Sequence, residues 1–249
     1  MPPPEPSPYR SVEDDQLFDS INADGVVVRR PFTQAEYDKR LSSLRTAMER
    51  RAVDALVITS PDSMYYLTSF QTPGNPFSAL IVPRQPECDM LLITRRLESS
   101  NARFRSMVKC VAYDEGETPE PLVTAYLDEM EKISQRIESI GYEAASPRLT
   151  VHSQRLLEEL HPAVWQDCSD LVLSLRSIKS EAEVMFTRKA AELVIAGYKA
   201  ALASLAPGVT ETTLAGEIQR AIMAGGAQSP PRLGSLSSSA STTALKVPD

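Results

Sequence analysis

Two histidines, His152 and His161, are all that 249 residues offer for imidazole chemistry. General-base catalysis, a nucleophilic triad or a zinc site usually needs at least one. His152 falls in the first turn of an expected helix and reads as solvent-exposed. His161 precedes Pro162 at a helix end, where the C-terminal dipole suits an imidazole, and reads as a helix-terminus residue. The acidic groups Asp14-Asp15, Asp128-Glu129-Glu131 and Glu158-Glu159 lie on an expected arm or on helix surfaces, and such runs read as solvated faces. Cys88, Cys110 and Cys168 are far apart, odd in number and without a Cys-x-x-Cys pair. They fit buried thiols in a reducing compartment better than a disulfide or zinc framework. No Gly-x-Ser-x-Gly elbow and no glycine-rich phosphate loop of either common kind occurs. A two-metal hydrolytic site needs several convergent carboxylates, usually with a histidine, on rigid elements. After Ser180 the acids Glu181, Glu183, Glu192, Glu211 and Glu217 sit on the polar sides of two helices, and no histidine follows. The expectation is a chain with no catalytic residue and no metal ligand. The best small-molecule candidate is the loop bounded by Gln71 and Phe77, because loops carried on rigid scaffolds commonly bind ligands. The plain alternative is a surface turn shaped by Pro73, Gly74 and Pro76.

The elements that would carry these residues follow from periodicity. Thr33 with Glu36 forms a helix-start signal, and Tyr37, Leu41, Leu44 and Met48 continue it as one face, with Arg45, Arg50 and Arg51 towards its C-terminal end. Short apolar runs at 53–58, 78–82, 90–93, 108–113, 136–142 and 163–166 read as strands. A short amphipathic piece, Met64–Leu67, and helices at 96–104, 119–132, from Thr150 to Leu160, and at 170–176 behind Ser169 alternate with them. That alternation predicts a layered α/β domain, and the close spacing of the first three strands predicts a mixed sheet. Ser180 with Glu183 opens a long helix, whose expected buried stripe is Phe186, Ala190, Leu193, Val194, Gly197, Ala201 and Leu205. Pro207-Gly208 breaks it, and Thr210 starts another helix with Leu214, Ile218, Ala221 and Ile222 inward.

The apolar content of 42% suffices for a core, and the net charge of −7 argues against nucleic-acid or anionic-membrane partners. No apolar segment has the roughly 18-residue length a membrane span needs, and the proline-rich, acidic start lacks a signal-peptide core. A cytoplasmic protein is the default expectation. Four regions are expected: a disordered arm over 1–30, an α/β domain over 31–176, two helices over 177–228, and a disordered serine-rich tail over 229–249.

The segment VDALVITSPDSMYYLTSFQT, followed by ALIVP and LLIT, resembles the N-terminal domain of the creatinase / Xaa-Pro aminopeptidase / prolidase family. IGYE, Trp165-Gln166-Asp167, LRSIKSEAEV and PGVTE are similar to that family's domain junction. The resemblance runs from about Phe32 to Pro230, with Ser63 where asparagine is common and Ser69 where glycine is usual. It implies a creatinase N-terminal-type domain with a mixed sheet flanked by helices. Two long helices then begin an incomplete pita-bread (α+β) metallopeptidase domain. It further implies that the two divalent metals of the family, of manganese or cobalt type, are held by residues beyond those present here, so this chain is expected to carry no cofactor.

By the same resemblance the N-terminal domain serves dimerisation, and the Gln71–Phe77 loop would reach substrate in a neighbouring subunit. The expected function is the N-terminal part of a metal-dependent hydrolase that cleaves a C–N bond, itself without activity. The parental substrate would be an Xaa-Pro peptide or a creatine-like or ectoine-like compound. The alternative is a non-catalytic dimerisation or binding module that pairs with itself or with a full-length relative.

Overall fold

A computed structural model describes residues 18–21, 27–71, 77–134 and 136–227. The chain divides into two compact units, one spanning Leu17–Ile178 and the other including 179–227.

The first unit opens with an antiparallel pair, β1 (Phe18–Ile21) and β2 (Val27–Arg30), inside the stretch expected to be a disordered arm. The β-branched Val28 favours extended backbone and is fully buried, a burial that the acidic composition around it does not reveal. Helix α1 (Gln34–Arg50) starts at Thr33, whose hydroxyl accepts the Glu36 amide. Beyond the expected face, α1 also buries Arg40, whose guanidinium lies 4.2 Å from the Phe32 ring centroid and 4.3 Å from that of Tyr66. Of the three arginines towards its C-terminal end, Arg45 donates to the Pro83 and Cys88 carbonyls and Arg51 pairs with Asp170.

Then come β3 (Ala55–Ile58), α2 (Pro61–Thr68), β4 (Ala79–Pro83), β5 (Leu91–Arg95), α3 (Arg96–Arg105) and β6 (Lys109–Tyr113). The unit closes with α4 (Glu120–Ile133), β7 (Ser139–Tyr142), α5 (Val151–Leu160), β8 (Val164–Asp167) and α6 (Ser169–Ser177). Strand order is β6-β5-β4-β3-β7-β8. Strand β4 is antiparallel to both neighbours and every other pairing is parallel, so the sheet is mixed as expected.

Side chains alternate across β3. Leu56 and Ile58 join α1, α2, α3 and α6 in one apolar cluster, while Ala55 and Val57 join α4 and α5 in the other. Three layers result, and the sheet is covered on both faces. Helix α6 departs from the expected cap: its N-cap is Cys168, and the Ser169 hydroxyl instead donates to Asp167 while accepting the Ala145 amide. Ser69 ends α2 in the left-handed region at φ 66°, which gives a physical reason for the glycine usual at that position in the family it resembles.

Two residues join β3 to its neighbours. Asp54 accepts the Glu138 and Ser139 amides at 3.0 and 3.1 Å on one oxygen and the Arg84 guanidinium at 2.7 Å on the other. Gly141 of β7 has no room for a side chain, since a Cβ there would stand 2.8 Å from both Cys168 Sγ and Leu56 Cδ1.

In the second unit, α7 (Glu181–Ser204) begins with the reciprocal capping box of Ser180 and Glu183, and α8 (Glu211–Ala224) begins at Thr210. They pack against each other through Leu193 and Gly197 of α7 and Ile218, Ile222 and Gly225 around α8. The expected single stripe on α7 therefore splits. Gly197 is buried, but Val194 and Leu205 are exposed, because one helical partner covers only one side of a helix. With Val184, Ile195, Tyr198 and Leu202 they form a second, open apolar face.

Gly141→Ala is expected to cost about 1–3 kcal/mol through overpacking. Asp54→Ala should lose a similar amount by leaving strand-end amides without acceptors. Chemical denaturation midpoints measure both, and an unchanged midpoint in either variant removes the corresponding explanation.

Candidate functional site

Because only β4 is reversed, the carboxyl ends of five strands gather at one edge of the sheet. Strands β3 to β6 extend the sheet to one side and β7 and β8 to the other, so the strand order reverses between β3 and β7. Open α/β sheets take ligands in the crevice at such a point. Here the crevice is filled by Glu143, the residue after β7. Its carboxylate, 4% exposed, accepts the Thr59 and Ser60 amides at 3.0 and 2.7 Å and the Ser63 hydroxyl at 2.6 Å. An internal anion thus sits on the donors at the start of α2 that a ligand's anion would use in other such folds.

Next to it, at the start of β4, the Ser78 and Thr94 hydroxyls bond at 2.8 Å, and the Tyr113 hydroxyl donates to the Phe77 carbonyl at 2.7 Å. Burial pushes the Tyr113 phenol up from its ordinary value, so it remains a donor at neutral pH. Two ion pairs, Arg95–Glu115 and Arg96–Asp114, line the ends of β5 and β6. Tyr113 and Asn101 anchor the two ends of the Gln71–Phe77 loop. Gln71 is exposed, and its carbonyl accepts the Asn101 side-chain amide. Phe77 is half-buried against the α4–α5 face of the sheet. Pro73, Gly74 and Pro76 lie outside the described residues. Gln71 and Phe77 therefore share an edge of the sheet with the reversal point.

The remaining candidates fall elsewhere. His152 is exposed on α5, and Glu158 accepts the Gln154 side chain at 2.9 Å. Asp14-Asp15 lies outside the described residues. All three cysteines are free thiols, and burial pushes the Cys168 thiol up, which makes it a poor nucleophile. His161 is buried and meets Asp128 and Glu131, residues the sequence placed on a solvated helix face. Sequence reasoning also passed over Glu143, although a carboxylate directly after an apolar strand was a signal that its charge must be met inside the fold.

Burial raises the Glu143 pKa, opposed by the Ser63, Ser60 and Thr59 hydrogen bonds and by Arg176. Between the ordinary glutamate value and that raised one, the folded chain holds more protons than the unfolded chain, so this group's contribution to stability falls as pH rises through the window. Glu143→Gln should keep the fold and flatten that dependence. Glu143→Ala should cost about 3 kcal/mol by leaving two amides without an acceptor. Urea midpoints across mildly acidic to neutral pH test both, and an identical pH profile in wild type and Glu143→Gln counts against the assignment.

Residues 40–178 match the Creatinase/Prolidase N-terminal domain. An uncharacterised hydrolase/peptidase of Sinorhizobium fredii is 26% identical over 204 residues, covering 77% of this chain and 51% of its own length. The ectoine hydrolase of Halomonas elongata is 28% identical over 208 residues, covering 78% and 51%. Among solved structures, an Xaa-Pro dipeptidase from Bacillus anthracis superposes with a TM-score of 0.62 at 21% identity, over 78% of this chain and 50% of that one. The chain spans about half the length of the curated relatives it matches. No helix among the described residues is long and apolar enough to cross a membrane. With the family match covering more than half of its length, and the six-stranded mixed sheet alongside it, this chain belongs to the creatinase/prolidase N-terminal domain family.

Proposed function

We propose that this chain supplies the N-terminal half of a metal-dependent hydrolase that cleaves a C–N bond, and that it carries out no hydrolysis by itself. The observation that carries this reading is the family match over 40–178, joined to relatives named as hydrolases or peptidases of which the chain spans about half. The substrate class is an Xaa-Pro peptide or a creatine-like or ectoine-like compound. Its two divalent metals, of manganese or cobalt type, would be held by the other half. In this reading α7 and α8 are the opening helices of the pita-bread domain, and the Gln71–Phe77 loop helps to position substrate in an assembled enzyme.

The edge of the sheet suits positioning rather than chemistry. The Glu143 carboxylate is engaged by three internal donors, and the Tyr113 hydroxyl is committed to the Phe77 carbonyl. Purified chain supplied with Mn2+ or Co2+ is expected to show no Xaa-Pro dipeptide turnover above the metal-only blank. Saturable turnover abolished by a chelator would overturn the reading.

One observation favours the alternative, a dimerisation or binding module. On the open face of α7, Val184 is 39%, Ile195 52%, Tyr198 64%, Leu202 54% and Leu205 51% exposed. An apolar patch of this kind drives association. Sedimentation of the isolated chain is expected to show dimers or larger species, reduced by Ile195→Glu. A monodisperse monomer at high protein concentration counts against the module.

A further inference from the structure

His161 is 2% exposed at the end of α5, and its two ring nitrogens are treated differently. Nδ1 accepts the Ala163 amide at a long 3.3 Å. Nε2 has no hydrogen-bond partner and lies 3.8 Å from Asp128 Oδ1. Glu131, one turn along α4 from Asp128, brings a second carboxylate, and the three donor atoms all lie within 4.8 Å of one another. Glu131 Oε1 accepts the Ile137 amide at 2.8 Å, which holds that carboxylate in place and leaves its other oxygen available. The Trp165 indole donates to the His161 carbonyl at 3.2 Å and fixes the backbone that carries the imidazole. A buried ring nitrogen without a partner, aimed at two carboxylates that repel each other, is an arrangement that a cation would complete.

We propose that Asp128, Glu131 and His161 form a binding site for one borderline divalent cation of the zinc or cobalt kind, which ties the end of α5 to α4. One imidazole nitrogen and two carboxylate oxygens are a donor set that such ions accept, and the 61% exposed Asp128 leaves the outer coordination positions open to water. Ligation through Nε2 needs the proton on Nδ1, so the Ala163 amide gives up its acceptor as the ion enters. That exchange limits affinity and supplies a local signal of loading. The competing arrangement keeps the proton on Nε2 and reaches Asp128 through water.

The test titrates Co2+ into the full chain after chelator dialysis, followed by absorbance, and Zn2+ into the same protein, followed by thermal melting and amide NMR. The expected result is saturation at one ion per chain, visible cobalt bands without a thiolate charge-transfer band, a raised Tm and a shifted Ala163 amide. Asp128→Asn, an exposed change that leaves the helix intact, should weaken binding at least ~10-fold, the scale on which even outer-shell partners act. His161→Gln should abolish it. Because His161 is buried and its replacement can disturb folding, Asp128→Asn and Glu131→Gln are the deciding variants. Absence of saturable binding, binding unchanged in Asp128→Asn, or a thiolate band that assigns the ion to cysteine would each overturn the proposal. Peptidase turnover is not read in this experiment, so its outcome is independent of the proposed hydrolase role.

Discussion

The two-sided burial of β3 is the constraint on which the Leu17–Ile178 unit depends. Four consecutive residues, Ala55 to Ile58, are fully buried and alternate between the two apolar clusters. Neither face can be left wet, so helices are required above and below, and the neighbouring strands must stay in register with both. Asp54 sets that register at the entry to β3, because one carboxylate reaches Arg84 after β4 and the amides that begin β7. Gly141 sets the closeness of approach, letting Leu56 and Cys168 meet across β7.

The same topology creates a reversal point at the carboxyl ends of β3 and β7, and this chain closes it with Glu143. The carboxylate stabilises the turn into α2 and takes up the backbone donors that make such a crevice useful for phosphate or carboxylate ligands elsewhere. On the same edge the Gln71 carbonyl is tied to Asn101 and the Phe77 carbonyl to Tyr113.

The α7–α8 pair is built differently. Its capping box and Thr210 cap satisfy the helix starts locally, and Gly197 lets Ile222 pack closely. Those interactions account for one side of α7 only. The other side keeps an apolar row exposed, which is the physical basis for expecting a partner surface.

The pattern of residues by itself determined the existence and order of the helices and strands from α1 to α8, because periodicity, caps and prolines are local signals. Ser180 with Glu183 and the run Val53–Ile58 are examples whose meaning needs no other part of the chain. Family membership was legible for a related reason, since VDALVITSPDSMYYLTSFQT keeps its motifs in order. Three things were decided only by tertiary structure. The β1–β2 pair exists because Val28 finds a buried place, which its acidic surroundings do not reveal. Glu143 reads as one more acid until β3 brings the Thr59 and Ser60 amides to it. Asp128 and Glu131 read as solvated, and His161 as a helix-end residue, until α4 and α5 pack side by side. For Glu143 and for the Asp128, Glu131 and His161 group the deciding interaction joins residues far apart in sequence, and no local period or spacing encodes which distant group a side chain will meet.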